Sequence, residues 1–128
     1  MKFILLTLLF TFSLFANEFY YESDKKVEIK KQINIPTSIN KDTIFEYETT
    51  DGKIIRFKNE IAVRCQAEAY CEDDFIDLAI DNYQNVFGSV YLIKIDNHNL
   101  YFDLLRKLHH KSDISSATPN YLTTMKIR

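Results

Sequence analysis

Alternation of apolar and polar side chains is the first pattern the chain presents once its opening residues are passed. Between Glu18 and Lys31, Phe19 and Tyr21 alternate with polar neighbours, and Val27 and Ile29 do so beyond Ser23-Asp24-Lys25. This predicts a small hairpin with its charges outward. Gln32 to Lys41, with Pro36 and two asparagines, reads as a connector. Ile44–Thr49 and Lys53–Phe57 then flank Asp51-Gly52, a pair suited to a type I′ turn, and predict a second hairpin.

From Glu60 the pattern changes to strand, helix, strand, helix, strand. Ile61, Val63 and Cys65 share one strand face, with Ala62, Arg64 and Gln66 on the other. Asp73 or Asp74 starts a helix in which Phe75, Leu78, Ala79 and Asn82 follow helical spacing. Val86-Phe87 is a very short strand before Gly88-Ser89. In Val90–Ile95, Tyr91, Ile93 and Ile95 face the helices and leave Val90, Leu92 and Lys94 on an open face. Asn97 or Asn99 caps a second helix with the stripe Leu100, Leu104, Leu105 and Leu108, Tyr101 at its edge, and Ile114 to Thr118 is a weak last strand. The expectation is an α+β fold: a ferredoxin-like βαββαβ antiparallel sheet with two helices on one face, preceded by the N-terminal β-hairpins. The Val90 and Leu92 face has two readings, a partner surface or ordinary core beneath the hairpins.

The opening residues change the picture of where the protein works. One lysine, Lys2, precedes a largely apolar run from Phe3 to Phe15, followed by Ala16 and the polar Asn17. The run is shorter than the ~20 residues of a membrane span and reads as a secretory signal peptide cleaved after Ala16. An uncleaved anchor is the alternative, because Leu14 is larger than the usual residue at its position. The expected organisation is a signal peptide over 1–16, a hairpin extension over 17–59 and an α+β domain over 60–128. The protein is expected to be periplasmic or secreted, with no stable membrane insertion after cleavage. Without Lys2 the chain holds 15 basic and 18 acidic residues, a net charge of −3 with histidines neutral. So mildly acidic a chain has no general attraction for nucleic acid.

In an oxidising compartment Cys65 and Cys71 read as a disulfide, with two partly buried free thiols as the alternative. His109 and His110 are adjacent on a helix and point about 100° apart, which disfavours joint ligation of one ion. No metal and no cofactor is expected. Glu72-Asp73-Asp74 reads as the solvated start of its own helix, and His98 as a loop residue. No Gly-x-Ser-x-Gly or catalytic triad string occurs, so the chain is not expected to be an enzyme.

Three groups of residues resemble the N-terminal propeptides of bacterial subtilisin-like serine proteases. Phe19-Tyr20-Tyr21-Glu22-Ser23-Asp24-Lys25-Lys26-Val27 is similar to their aromatic strand, turn and Lys-Lys-Val opening. Tyr47 to Lys53 followed by Asn59-Glu60-Ile61-Ala62-Val63-Arg64 is similar to their hairpin and first strand. Val90–Ile95, Leu104 to Leu108 and Ala117-Thr118-Pro119-Asn120-Tyr121 are similar to their strand, helix and exit. The resemblance implies a protein that binds a subtilisin-like serine protease as inhibitor or folding chaperone. Its open sheet face, with Val90, Leu92 and Lys94, would meet the protease surface. Tyr121 would belong to the same partner-binding surface, and beyond it the tail Thr123, Thr124, Met125, Lys126, Ile127 and Arg128 would enter the substrate cleft as an added strand. Arg128 would lie next to the cleaved bond and Met125 would serve as the apolar anchor. A chain ending there resembles a propeptide already released, although Lys126-Ile127-Arg128 also reads as a frayed terminus. The competing reading is a non-catalytic structural or interaction module, or the relic of a truncated protease gene.

Overall fold

The computed structural model describes residues 18–122. Seven antiparallel strands form one sheet: β1 (Phe19–Glu22), β2 (Lys25–Gln32), β3 (Phe45–Thr49), β4 (Ile54–Cys65), β5 (Tyr83–Phe87), β6 (Val90–Lys94) and β7 (Ile114–Tyr121). Two short helices, α1 (Cys71–Asp77) and α2 (Tyr101–His109), interrupt the strand order. The pairing runs β1-β2-β3-β4-β6-β5, with β7 on β4.

This curled seven-stranded sheet is not the ferredoxin-like βαββαβ sandwich that the hydrophobic pattern predicts, and the reason lies in β4. Its residues Ile54–Phe57 pair with β3 and its residues Glu60–Arg64 pair with β6, while β7 pairs from Phe57 to Cys65 along the other edge. The hairpins are therefore strands of the same sheet, and β4 passes residues 59 and 60 without a break. Period-2 alternation places Phe57, Asn59, Ile61, Val63 and Cys65 on one face of β4, and all but Asn59 are buried. Asn59 looks like an interruption only because its polar partner, His98, is distant in sequence.

The turns show how backbone conformation sets the register. Between β3 and β4 the loop is Thr50-Asp51-Gly52, closed by Thr49 N–H to Lys53 O at 2.8 Å and Gly52 N–H to Thr49 O at 3.0 Å. Only Gly52 has positive φ, at +90°, so this is a three-residue hairpin and not the expected type I′ turn. In β1 the inward residue is Tyr20, paired with Val27 and fully buried. The predicted alternation had favoured Phe19 and Tyr21, which are half-buried.

Both helices also differ from their predicted bounds. α1 starts at Cys71, held by the Cys65–Cys71 disulfide with Cα atoms 6.0 Å apart. It stops after two turns because Ala79 takes φ +60°. Ile80 N–H bonds Phe75 O and Ala79 N–H bonds Ile76 O, closing a Schellman motif in which Ile80 is buried like Phe75. Glu72, Asp73 and Asp74 occupy its first turn, where they suit the helix dipole, but no side chain caps the helix. Before α2, Asn97 Oδ1 accepts from Asn99 N–H at 3.0 Å and starts a 3₁₀ turn over His98–Leu100. α2 buries Tyr101, Phe102, Leu105 and Leu108, whereas Leu100 is 49% exposed. Tyr101 and Phe102 thus take the place expected of Leu100, while Leu104, Leu105 and Leu108 of the predicted stripe do pack on the core. The Tyr101 ring stacks on Phe57 at 4.6 Å, and Phe102 meets Tyr47 edge-on at 5.2 Å.

Candidate partner-binding face

The hairpins curl towards α2, so they lie on the inner side of the sheet. Tyr20 stacks on Phe102 at 5.9 Å. Arg106 of α2 donates to the Glu18 carboxylate and to Phe19 O, both at 2.9 Å. The N-terminal strands therefore do not cover Val90 and Leu92, and of the two readings of that face the core reading does not hold.

Strand register sets what the outer face displays. Ala62 stands between Leu92 and Thr118, and Arg64 between Val90 and Ser116. Glu60 pairs with Lys94, and at the hairpin end Val90 pairs with Phe87. Val90, Leu92, Ala62 and Thr118 are half-buried, and Lys94 is exposed. Gly88, at φ +51°, makes the tight turn that carries Val86 and Phe87 to the rim, 51% and 64% exposed. Among the described residues, Arg64 and Lys94 take part in no ion pair. The Glu60 carboxylate accepts from Asn120 at 3.1 Å. Chemically the face is an apolar strip bordered by the cations Arg64 and Lys94 and by short polar side chains. Val90, Leu92 and Lys94 lie on the outward side expected of them and Ala62 on the expected side of β4, but neither Ala62 nor Phe87 was expected as a candidate with them. The alternation of β4 contained Ala62's place, while Phe87's depends on the β5–β6 bulge between Asn85 and Phe87.

Tyr121 is placed differently from the other candidates. Tyr20 O–H and Tyr121 O lie 2.6 Å apart, and Tyr121 O–H donates to Glu22 at 3.3 Å. Burial pushes both phenols up, Tyr20 to about 12. Tyr121 thus ties β7 to the first hairpin and does not extend the outer face. Thr123, Thr124, Met125, Lys126, Ile127 and Arg128 lie outside the described residues, as does the opening run 1–16. Among the described residues no helix is long and apolar enough to cross a membrane.

The three histidines form no common cluster. His109 stacks on Tyr21 at 4.7 Å near the end of α2. His98, expected in a plain loop, lies flat on Phe45 at 3.6 Å and bonds both Tyr47 and Asn59. Beside Asn59, the stretch of β4 edge between β3 and β6 borders an open cleft of about 390 Å³ whose lining includes Asp42, Lys58, Asn82 and Asp96. Compared with models of protein families, with curated proteins and with solved structures, the chain finds no match.

Proposed function

We propose that this chain is a non-enzymatic, exported binding protein that docks on a subtilisin-like serine protease as inhibitor or folding chaperone. The observation that carries the reading is the outward strip of half-buried Ala62, Val90, Leu92 and Thr118, on which no element among the described residues is seen to pair, with Arg64 and Lys94 outside any ion pair among those residues at its border. An apolar face of this kind gains by being removed from water against a partner. The choice of partner rests on the residue strings that resemble subtilase propeptides. It does not rest on the architecture, which differs from the sandwich expected of them.

Two further features support the reading. The disulfide and the signal-like opening run suit a periplasmic or secreted protein. β7 runs beside β4 and leads directly into the tail 123–128, whose backbone would pair with the edge of a protease cleft. Binding only the native protease would also stabilise it by mass action, which is how one surface serves both inhibition and folding.

The test uses protein expressed from its full sequence, with the disulfide intact, mixed with a subtilisin-like protease. Peptide hydrolysis slows at micromolar protein, and deleting Thr123 to Arg128 relieves the inhibition while the circular dichroism spectrum is unchanged. Neither inhibition nor faster protease refolding at that concentration would overturn the proposal and leave the interaction-module reading in its place.

A further inference from the structure

His98 joins three elements at the point where β3 and β6 diverge along β4. Its ring lies parallel to Phe45 of β3, 3.6 Å away and 4° from coplanar, with Phe57, Tyr101 and Phe102 around it. Asn59 Oδ1 can only accept, so Nδ1 carries the proton and donates to it at 2.5 Å. Nε2 then accepts from the Tyr47 hydroxyl at 2.6 Å. Both ring nitrogens are used, and the geometry specifies the neutral Nδ1–H tautomer.

A proton has no good place in this arrangement. It would add to Nε2, the atom that accepts from Tyr47. The Tyr47 oxygen would have to turn from donor to acceptor, and its own proton would lose its partner. A full positive charge would then sit among aromatic rings. The groups packed on the ring from β3, β4 and α2 are Phe45, Tyr47, Phe57, Asn59, Tyr101 and Phe102. Of these only the two tyrosines titrate, and burial pushes both upward, Tyr47 to about 12. The neighbouring carboxylates are engaged elsewhere: Glu46 with Arg56, Glu60 with Asn120, and Glu18 with Arg106. Asp96, two residues before His98, is exposed.

We propose that His98 is an acid-sensitive latch, which fastens the N-terminal hairpins to β4 and α2 when neutral and releases them when protonated. Burial supports this by lowering its pKa from 6.5 to about 4. The folded value is the lower one, so below pH 6.5 the unfolded or opened form binds the proton first. Stability is complete above that pH, falls as pH drops towards 4, and levels off below it. The released unit is β1–β3, because the Tyr47 bond and the Phe45 stack of His98 both end on β3, while its Asn59 bond stays on β4.

The test measures urea unfolding from pH 7 to 4 on the protein expressed from its full sequence, together with amide hydrogen exchange. The folding equilibrium constant drops by up to about tenfold per pH unit across the window, the slope of one proton. The drop persists in a His109→Gln/His110→Gln variant and flattens in His98→Gln. Exchange rises first in β1–β3 while α1, β5 and β6 stay protected. A flat wild-type profile, an unchanged slope in His98→Gln, or simultaneous loss of protection everywhere would overturn the latch. If His98→Gln does not fold, the ring resonances of wild-type His98 decide: titration near 4 supports the latch, and titration near 6.5 refutes it.

Discussion

Along the outer face of the sheet, the half built by β2, β3 and the start of β4 pairs its charges. Lys30 and Lys31 reach Glu48, Arg56 forms an ion pair with Glu46 at 2.8 Å, and Lys58 lies 3.7 Å from Asp42. The half built by β5, β6, β7 and the end of β4 displays Ala62, Val90, Leu92, Thr118 and Phe87, with Arg64 and Lys94 outside any ion pair among the described residues. The two halves share one strand, so sheet geometry does not distinguish them. The first satisfies its charges at its surface with exposed ion pairs that contribute little to stability, and the large apolar side chain it leaves open is Ile54, 53% exposed beside Glu48. The second leaves both apolar area and charge available, and therefore carries the proposed contact.

The strongest way to break the comparison is to show that the halves fold separately. Phe57 is fully buried and packs on Tyr47, Tyr101 and Phe102, at the point of β4 from which both halves extend. Phe57→Ala should cost about 3–5 kcal/mol in urea unfolding and lower both halves together in one transition. Two transitions would separate them. A smaller effect is expected at the disulfide, which anchors only the β4–α1 corner. Replacing Cys65 and Cys71 together with serine should cost about 2 kcal/mol by the loop-entropy account, with exchange rising first in α1. An equal rise in β1–β3 would contradict that local role.

Sequence pattern carried the local elements further than their assembly. Asp51-Gly52 marked a hairpin, and Val90–Lys94 appeared as a strand with Leu92 outward. What escaped was the sharing of β4, because the expected hairpin strand ends at Phe57 and the new pattern begins at Glu60, while Asn59 between them finds its partner only in His98, 39 residues later. The same long-range logic hid Tyr20, whose hydroxyl is satisfied by Tyr121, 101 residues away. α1 ended early because Ala79 adopts a left-handed conformation that residue type alone does not favour. α2 turned its aromatics inward because a curled sheet offers rings on three strands to stack against. At the candidate face, the outward places of Val90, Leu92, Lys94 and Ala62 followed from alternation, register set Ala62 beside Leu92, and Phe87 joined them only through the β5–β6 bulge.

The smallest effect on stability and the largest on binding should fall on one residue. Leu92→Asp, on the outer face, is expected to change unfolding by no more than about 1 kcal/mol, since it removes no core contact. The direct test is the inhibition constant of wild type and Leu92→Asp against the same subtilisin-like protease. The account predicts inhibition by wild type and weakening by about tenfold or more in the variant, the loss expected of a central interface residue. Equal inhibition by both proteins would show that the face is not the contact, and no inhibition by either would remove the protease itself from the account.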